Sequence, residues 1–109
     1  MHSLKYFSDT NKQALFAQIE NFINNENAEG RSISVEHNGD IVVALLGYTP
    51  EVGEDLTYTV VEKSICKVYD SVETIQKSID DVTAAMGNFV CQSCCIEQDN
   101  LSIVFLTAK

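Results

Sequence analysis

The stretch from Ile33 to Leu46 constrains this chain more than any other part of it. Ile33-Ser34-Val35-Glu36-His37 alternates apolar and polar side chains, Asn38-Gly39 follows, and Ile41 to Leu46 is apolar without a break. Alternation at period two marks a half-buried strand. Asn-Gly favours a two-residue type I′ turn, because both central positions need positive φ. This register sets His37 opposite Asp40 and Val35 opposite Val42. The first strand then turns Ser32, Ser34 and Glu36 to one face. The second strand has no polar face, which suits a position near the middle of a sheet with cover on both sides.

The same grammar returns near the C-terminal end. Phe89 to Glu97 reads as a strand, Gln98-Asp99-Asn100 as a turn, and Leu101 to Ala108 as another strand that is apolar on both faces. Val35-Glu36-His37-Asn38 matches Ile96-Glu97-Gln98-Asp99, each ahead of an apolar strand. Periodicity alone produces matches this short, so they do not establish an internal repeat.

A helix precedes each hairpin. From Asn11 to Asn25, Leu15, Ile19, Phe22 and Ile23 fall on one stripe, with Thr10 and Gln13 as a capping box. From Asp70, Val72, Ile75, Ile79, Val82 and Met86 form a second stripe, with Asp70 and Glu73 at its start and Gly87 just past its end. Thr57 to Val61 is rich in β-branched and aromatic residues and reads as a strand that continues toward Val68. The expected fold is a single α+β domain over residues 1–109. Two helices pack on one face of a five-stranded, mainly antiparallel sheet, in the order α-β-β-β-α-β-β.

Composition bounds the function. Sixteen acidic residues face seven basic ones, a formal charge of −9 on 109 residues. Such a charge disfavours nucleic acid and anionic membrane as partners and favours a basic protein surface. The N-terminus has no apolar signal region, and Ile41 to Leu46 is far short of the roughly 20 residues a membrane helix needs. A cytoplasmic location with reduced thiols is therefore expected.

No constellation of catalytic residues stands out, and no cofactor is expected. Cys91, Cys94 and Cys95 attract attention as a thiol or metal site. On a strand, however, Cys94 and Cys95 point to opposite faces, and Cys91 and Cys95 stand about 13 Å apart. Zinc needs ligands that converge on one point, so buried inert thiols are the better reading. His37 with Asp40 lacks a neighbouring nucleophile in the sequence and reads as a solvated turn pair.

The element order resembles that of type III secretion chaperones, with their α-β(3)-α-β(2) core. The resemblance implies a homodimer that binds an extended client segment. It is one of element order, with no shared motif, and no site residues carry over. The size and charge also resemble those of small acidic immunity and antitoxin proteins, which implies an inhibitor of a basic toxin or nuclease domain. The expectation drawn from the acids is a non-enzymatic binding protein. It docks on a basic protein through Glu36, Asp40, Glu51, Glu54, Asp55, Glu97 and Asp99 and neutralises it. Secretion-chaperone-like binding is the alternative, motivated by Ile41, Val43 and Leu45 beside Ser32, Ser34 and Glu36.

Overall fold

The computed structural model describes residues 2–50 and 55–109. The elements are β1 (Ser3–Asp9), α1 (Lys12–Asn25), β2 (Glu29–Asn38), β3 (Ile41–Thr49), β4 (Tyr58–Lys67), α2 (Val72–Met86), β5 (Cys91–Glu97) and β6 (Asn100–Ala108). They form two three-stranded antiparallel sheets, ordered β1-β3-β2 and β4-β6-β5. No helix among the described residues is long and apolar enough to cross a membrane.

This overturns the expected five-stranded sheet in two ways. A sixth strand, β1, precedes the first helix and pairs with β3. The strands also fall into two sheets, because β2 and β5 lie side by side without a backbone ladder. At that seam the Val35 amide donates to the Ser93 hydroxyl, 2.9 Å away, where a continuous sheet would offer a backbone carbonyl.

Each half of the chain follows the order β-α-β-β, and each sheet places its last strand in the middle. The two strands without a polar face, β3 and β6, are those central strands. Strand β6 is buried on both faces, whereas β3 is buried on its inner face and leaves Ile41 and Leu45 exposed on its outer one.

Helix α1 begins at Asn11, whose side chain accepts from the Ala14 amide at 2.9 Å. Asn11 therefore takes the capping role expected of Thr10, and a short side-chain acceptor is what the orphan amides of the first turn require. Leu15, Phe16, Ile19 and Ile23 are fully or almost fully buried. They meet Phe7, Ile33, Val35, Val42, Ala44 and Leu46 of one sheet and Tyr58, Val60, Cys91, Cys95, Val104 and Leu106 of the other in a single core. Each such side chain taken fully out of water contributes about 1.5–3 kcal/mol, so this one helix links the two halves.

Polar bonds reinforce the link. The Tyr58 amide donates to Asn24 Oδ1 at 2.7 Å, and Asn24 Nδ2 donates to the Tyr58 carbonyl at 3.1 Å. The Val60 amide donates to Glu20 Oε2 at 2.7 Å. Strand β4 is an edge, and α1 takes up backbone groups that an edge would leave open. Gly30 completes the joint: its amide donates to the Tyr58 hydroxyl at 3.1 Å, and a Cβ there would meet Leu106 Cδ2 at 2.6 Å.

Helix α2 sits elsewhere. By strand alternation, Leu101, Ile103 and Phe105 point away from α1, and Phe105 is nevertheless buried. Phe89 packs edge-on against it at 4.9 Å, and α2 contacts β4 on this side. The two helices thus cover opposite faces of the β4-β6-β5 sheet, where one shared face was expected. The helix starts at Ser71, which accepts from the Thr74 amide, and ends at Gly87 with φ 72. Asp70 is accordingly outside the cap. None of its residues is fully buried, and Val72 at its start is exposed.

Candidate binding site

The seam between the sheets carries the most functional chemistry. Strands β2 and β5 run side by side in the same direction there, so Val35 meets Ser93 and His37 meets Glu97. Both hairpin turns therefore lie at one end of the molecule. A groove of about 520 Å³ follows the seam, lined by Ser34, Val35, Glu36, His37, Ser93, Cys94 and Ile96. A smaller depression of about 260 Å³ lies at the turn end, where Lys12, His37, Asp40, Glu97 and Gln98 converge.

The turns themselves differ from the expected chemistry. The first hairpin closes on Gly39 and Asp40, with Asn38 opposite Ile41 and His37 opposite Val42. His37 therefore does not face Asp40, and Val35 faces Ala44. Gly39 has φ 64 and Asp40 has no positive φ, the pattern of a type II′ turn with glycine at its first position. The partner moves by two residues, so every side chain keeps its expected face. The second hairpin turns at Gln98 and Asp99, with φ 49 and φ 67. Two positive values mark the type I′ turn, here made without glycine.

Lys12 is the charged hub of the site. Its ammonium lies 2.9 Å from Glu62 Oε2 and 3.3 Å from Glu97 Oε1. Ser102 Oγ also donates to Glu62 Oε2, at 2.7 Å. Burial draws the Lys12 pKa down, but the carboxylates of Glu62 and Glu97 outweigh it and hold the ammonium above its ordinary value. His37 is largely buried; its Nε2 stands 3.7 Å from Glu97 Oε1 and has no hydrogen-bond partner among the described residues.

The acids named from the sequence separate into groups. Glu36, Asp40 and Glu97 line the seam or its end. Asp99 occupies the adjacent turn. Asp55 lies just before β4, whose Tyr58 pairs with Ala108, so it sits at the opposite end of the β6 strand, roughly 27 Å from the Asp99 turn. Glu51 and Glu54 lie outside the described residues. Glu36, Asp40 and Asp99 have no ion-pair partner among the described residues, whereas Glu97 is paired with Lys12 and lies beside His37.

The cysteines follow strand geometry. Cys91 and Cys95 are buried on the inner face and Cys94 is exposed on the outer one. Burial pushes the Cys91 thiol up to about 11 and also raises that of Cys95, so both stay protonated and unreactive at neutral pH. Among the described residues no three His, Cys, Asp or Glu side chains converge as a metal site requires.

Several contributors were missed from sequence: Lys12 and Glu62 in the charge cluster, and Leu4 and Tyr6 on the outer face of β1. The alternation of Leu4, Tyr6 and Ser8 against Lys5, Phe7 and Asp9 was the available signal for that strand. Comparison with protein-family models, curated proteins and solved structures finds no match.

Proposed function

We propose that this is a non-catalytic acidic binding protein that docks on a basic protein partner and neutralises it, in the manner of an immunity protein or antitoxin. The observation that carries this reading is the set of unpaired carboxylates at one end of the molecule. Glu36, Asp40 and Asp99 flank the seam or its turns, and no described cation engages them. A partner's arginines would meet carboxylates that need not first release a cation. The chain's charge of −9 adds a field that speeds encounter with a basic surface. His37 has Glu97 beside its Nε2 and no hydroxyl or thiol bonded to that atom, which suits a structural role better than a general base.

The test uses nona-arginine titrated into isotopically labelled protein, followed by NMR. The largest shifts should fall on residues 36–40 and 97–100 and shrink as salt is raised. Two exposed charge pairs at about 0.2–1 kcal/mol each predict that Asp40→Asn with Asp99→Asn weakens binding roughly two- to thirtyfold. Shifts as large around Asp80 and Asp81 of α2, or binding indifferent to salt, would remove this reading.

A further inference from the structure

Two sheets present four faces, and helices cover three of them. Helix α1 covers the inner faces of both sheets, and α2 covers the outer face of β4-β6-β5. The outer face of β1-β3-β2 has no helix over it among the described residues. Pairing puts Leu4 and Tyr6 of β1 there, with Ile41, Val43 and Leu45 of β3 beside them. Leu4 is 67% exposed and Tyr6 62%, and Ile41 and Leu45 are also exposed. Single exposed apolar residues are ordinary, but a contiguous group on one sheet face marks an interaction surface.

The shape of this face suits one helix. Three strands spaced 4.7–4.9 Å apart span roughly 10–14 Å, and a helix with its side chains is about 10 Å wide. A shallow cleft of about 250 Å³ runs between Tyr6, Val43 and Leu45 on one side and Ser34 and Glu36 on the other. Ser34 and Glu36 also line the seam groove, so the apolar face continues toward Ile96.

The charge around the face selects the occupant. Strand pairing puts two carboxylates on it: Glu29, opposite Thr49 at one end, is engaged by Arg31, while Glu36 lies opposite Val43, and Asp40 stands at the other end, directly before Ile41. Neither Glu36 nor Asp40 has a cation partner among the described residues. A second copy fits poorly. Each copy carries −9, and the exposed helix it could offer, α2, brings Glu73, Asp80 and Asp81 against a lone Lys77.

We propose that the outer face of the β1-β3-β2 sheet docks a basic amphipathic helix of the partner. The apolar side of that helix lies on Leu4, Tyr6 and Leu45, and its Lys or Arg side chains reach Glu36 and Asp40. This deepens the binding-protein reading above and rests on it for the sign of the partner's charge.

Two 14-residue peptides with the same leucine stripe test it, one with lysines on its polar side and one with glutamates. Binding is read by fluorescence anisotropy and the site by NMR shifts. The Leu–Lys peptide should bind at least tenfold more tightly than the Leu–Glu peptide and shift residues 4–6 and 41–45. Leu45→Ser with Tyr6→Ser keeps the net charge, touches only exposed side chains, and should weaken binding at least tenfold with an unchanged circular dichroism spectrum. Equal affinity for both peptides, shifts confined to α2, or no effect of the serine variant would overturn the proposal. So would a dimer in light scattering that the serine variant dissociates, because a second copy would then own this face. If the serine variant abolishes Leu–Lys binding and Asp40→Asn with Asp99→Asn does not weaken it, the apolar face stands and the carboxylate reading fails. If only the Asn variant weakens binding, the reverse holds.

Discussion

The two β-α-β-β halves share an order of elements and a strand arrangement, yet their helices do different work. Helix α1 buries Leu15, Phe16, Ile19 and Ile23 completely or nearly so and serves the core of both sheets. Helix α2 buries no residue fully and serves the outer side of one sheet. On paper the second stripe is as regular as the first, with Val72, Ile75, Ile79, Val82 and Met86 at helical spacing. A regular stripe therefore shows that a helix has something to cover; how deeply it is covered depends on whether one sheet or two close around it. The uneven use of the helices is also what leaves one apolar sheet face open.

Paired truncations put the largest strain on this comparison. Ile19→Ala should lower unfolding free energy by about 2–5 kcal/mol, the range for a fully buried aliphatic side chain. Ile79→Ala, at a half-buried site of α2, should lose less than about 2 kcal/mol. Urea unfolding measures both, and equal losses would mean that α2 is as much a part of the core as α1.

The joint between the halves gives the next effect. Gly30 belongs to the first half, and a methyl there presses on Leu106 and Tyr58 of the second and on Ile23 of α1. Gly30→Ala should lower stability by about 1–3 kcal/mol through overpacking. A melting temperature equal to that of the parent would show that the halves have slack where they meet.

The hairpin turns give the smallest effect, with opposite signs in the two halves. Gly39 has φ 64 and open space around it, so Gly39→Ala adds backbone strain alone, about 1 kcal/mol of loss. Asp99 holds φ 67 without being glycine, so Asp99→Gly should gain about 0.5 kcal/mol. Two changes of the same sign would mean that the turns are more alike than their dihedrals indicate.

Much of the local structure was legible in the residues. Both helices begin within two residues of their expected starts, Gly87 ends the second, and both hairpins form. The unbroken apolar run of Ile41 to Leu46, and the apolar residues on both faces of Leu101 to Leu106, foretold central strands, and β3 and β6 are central. Strand alternation put Cys91 and Cys95 on one face and Cys94 on the other, and the structure buries the first two but exposes Cys94, where a buried thiol was expected. It also placed Ile41, Val43 and Leu45 on the face of Ser34 and Glu36. The site was only partly legible. Asp40 and Glu97 do converge, but by way of Lys12 and His37, which lie far apart in the chain.

What the sequence alone determined is what depends on neighbours along the chain: the period of each stripe, the face of each strand residue, the turns and the caps. Tertiary structure decided the break between β2 and β5, the opposite sides taken by the helices, the addition of β1, and the meeting of both turns at one end. Those outcomes depend on pairings between distant segments. A strand's alternation says which side chains share a face, but not which edge it will lie beside or which helix will come to cover it. Asn24 and Glu20 show the reason in miniature. Each is an ordinary polar residue on a helix until the edge of β4 arrives and needs its backbone bonds completed.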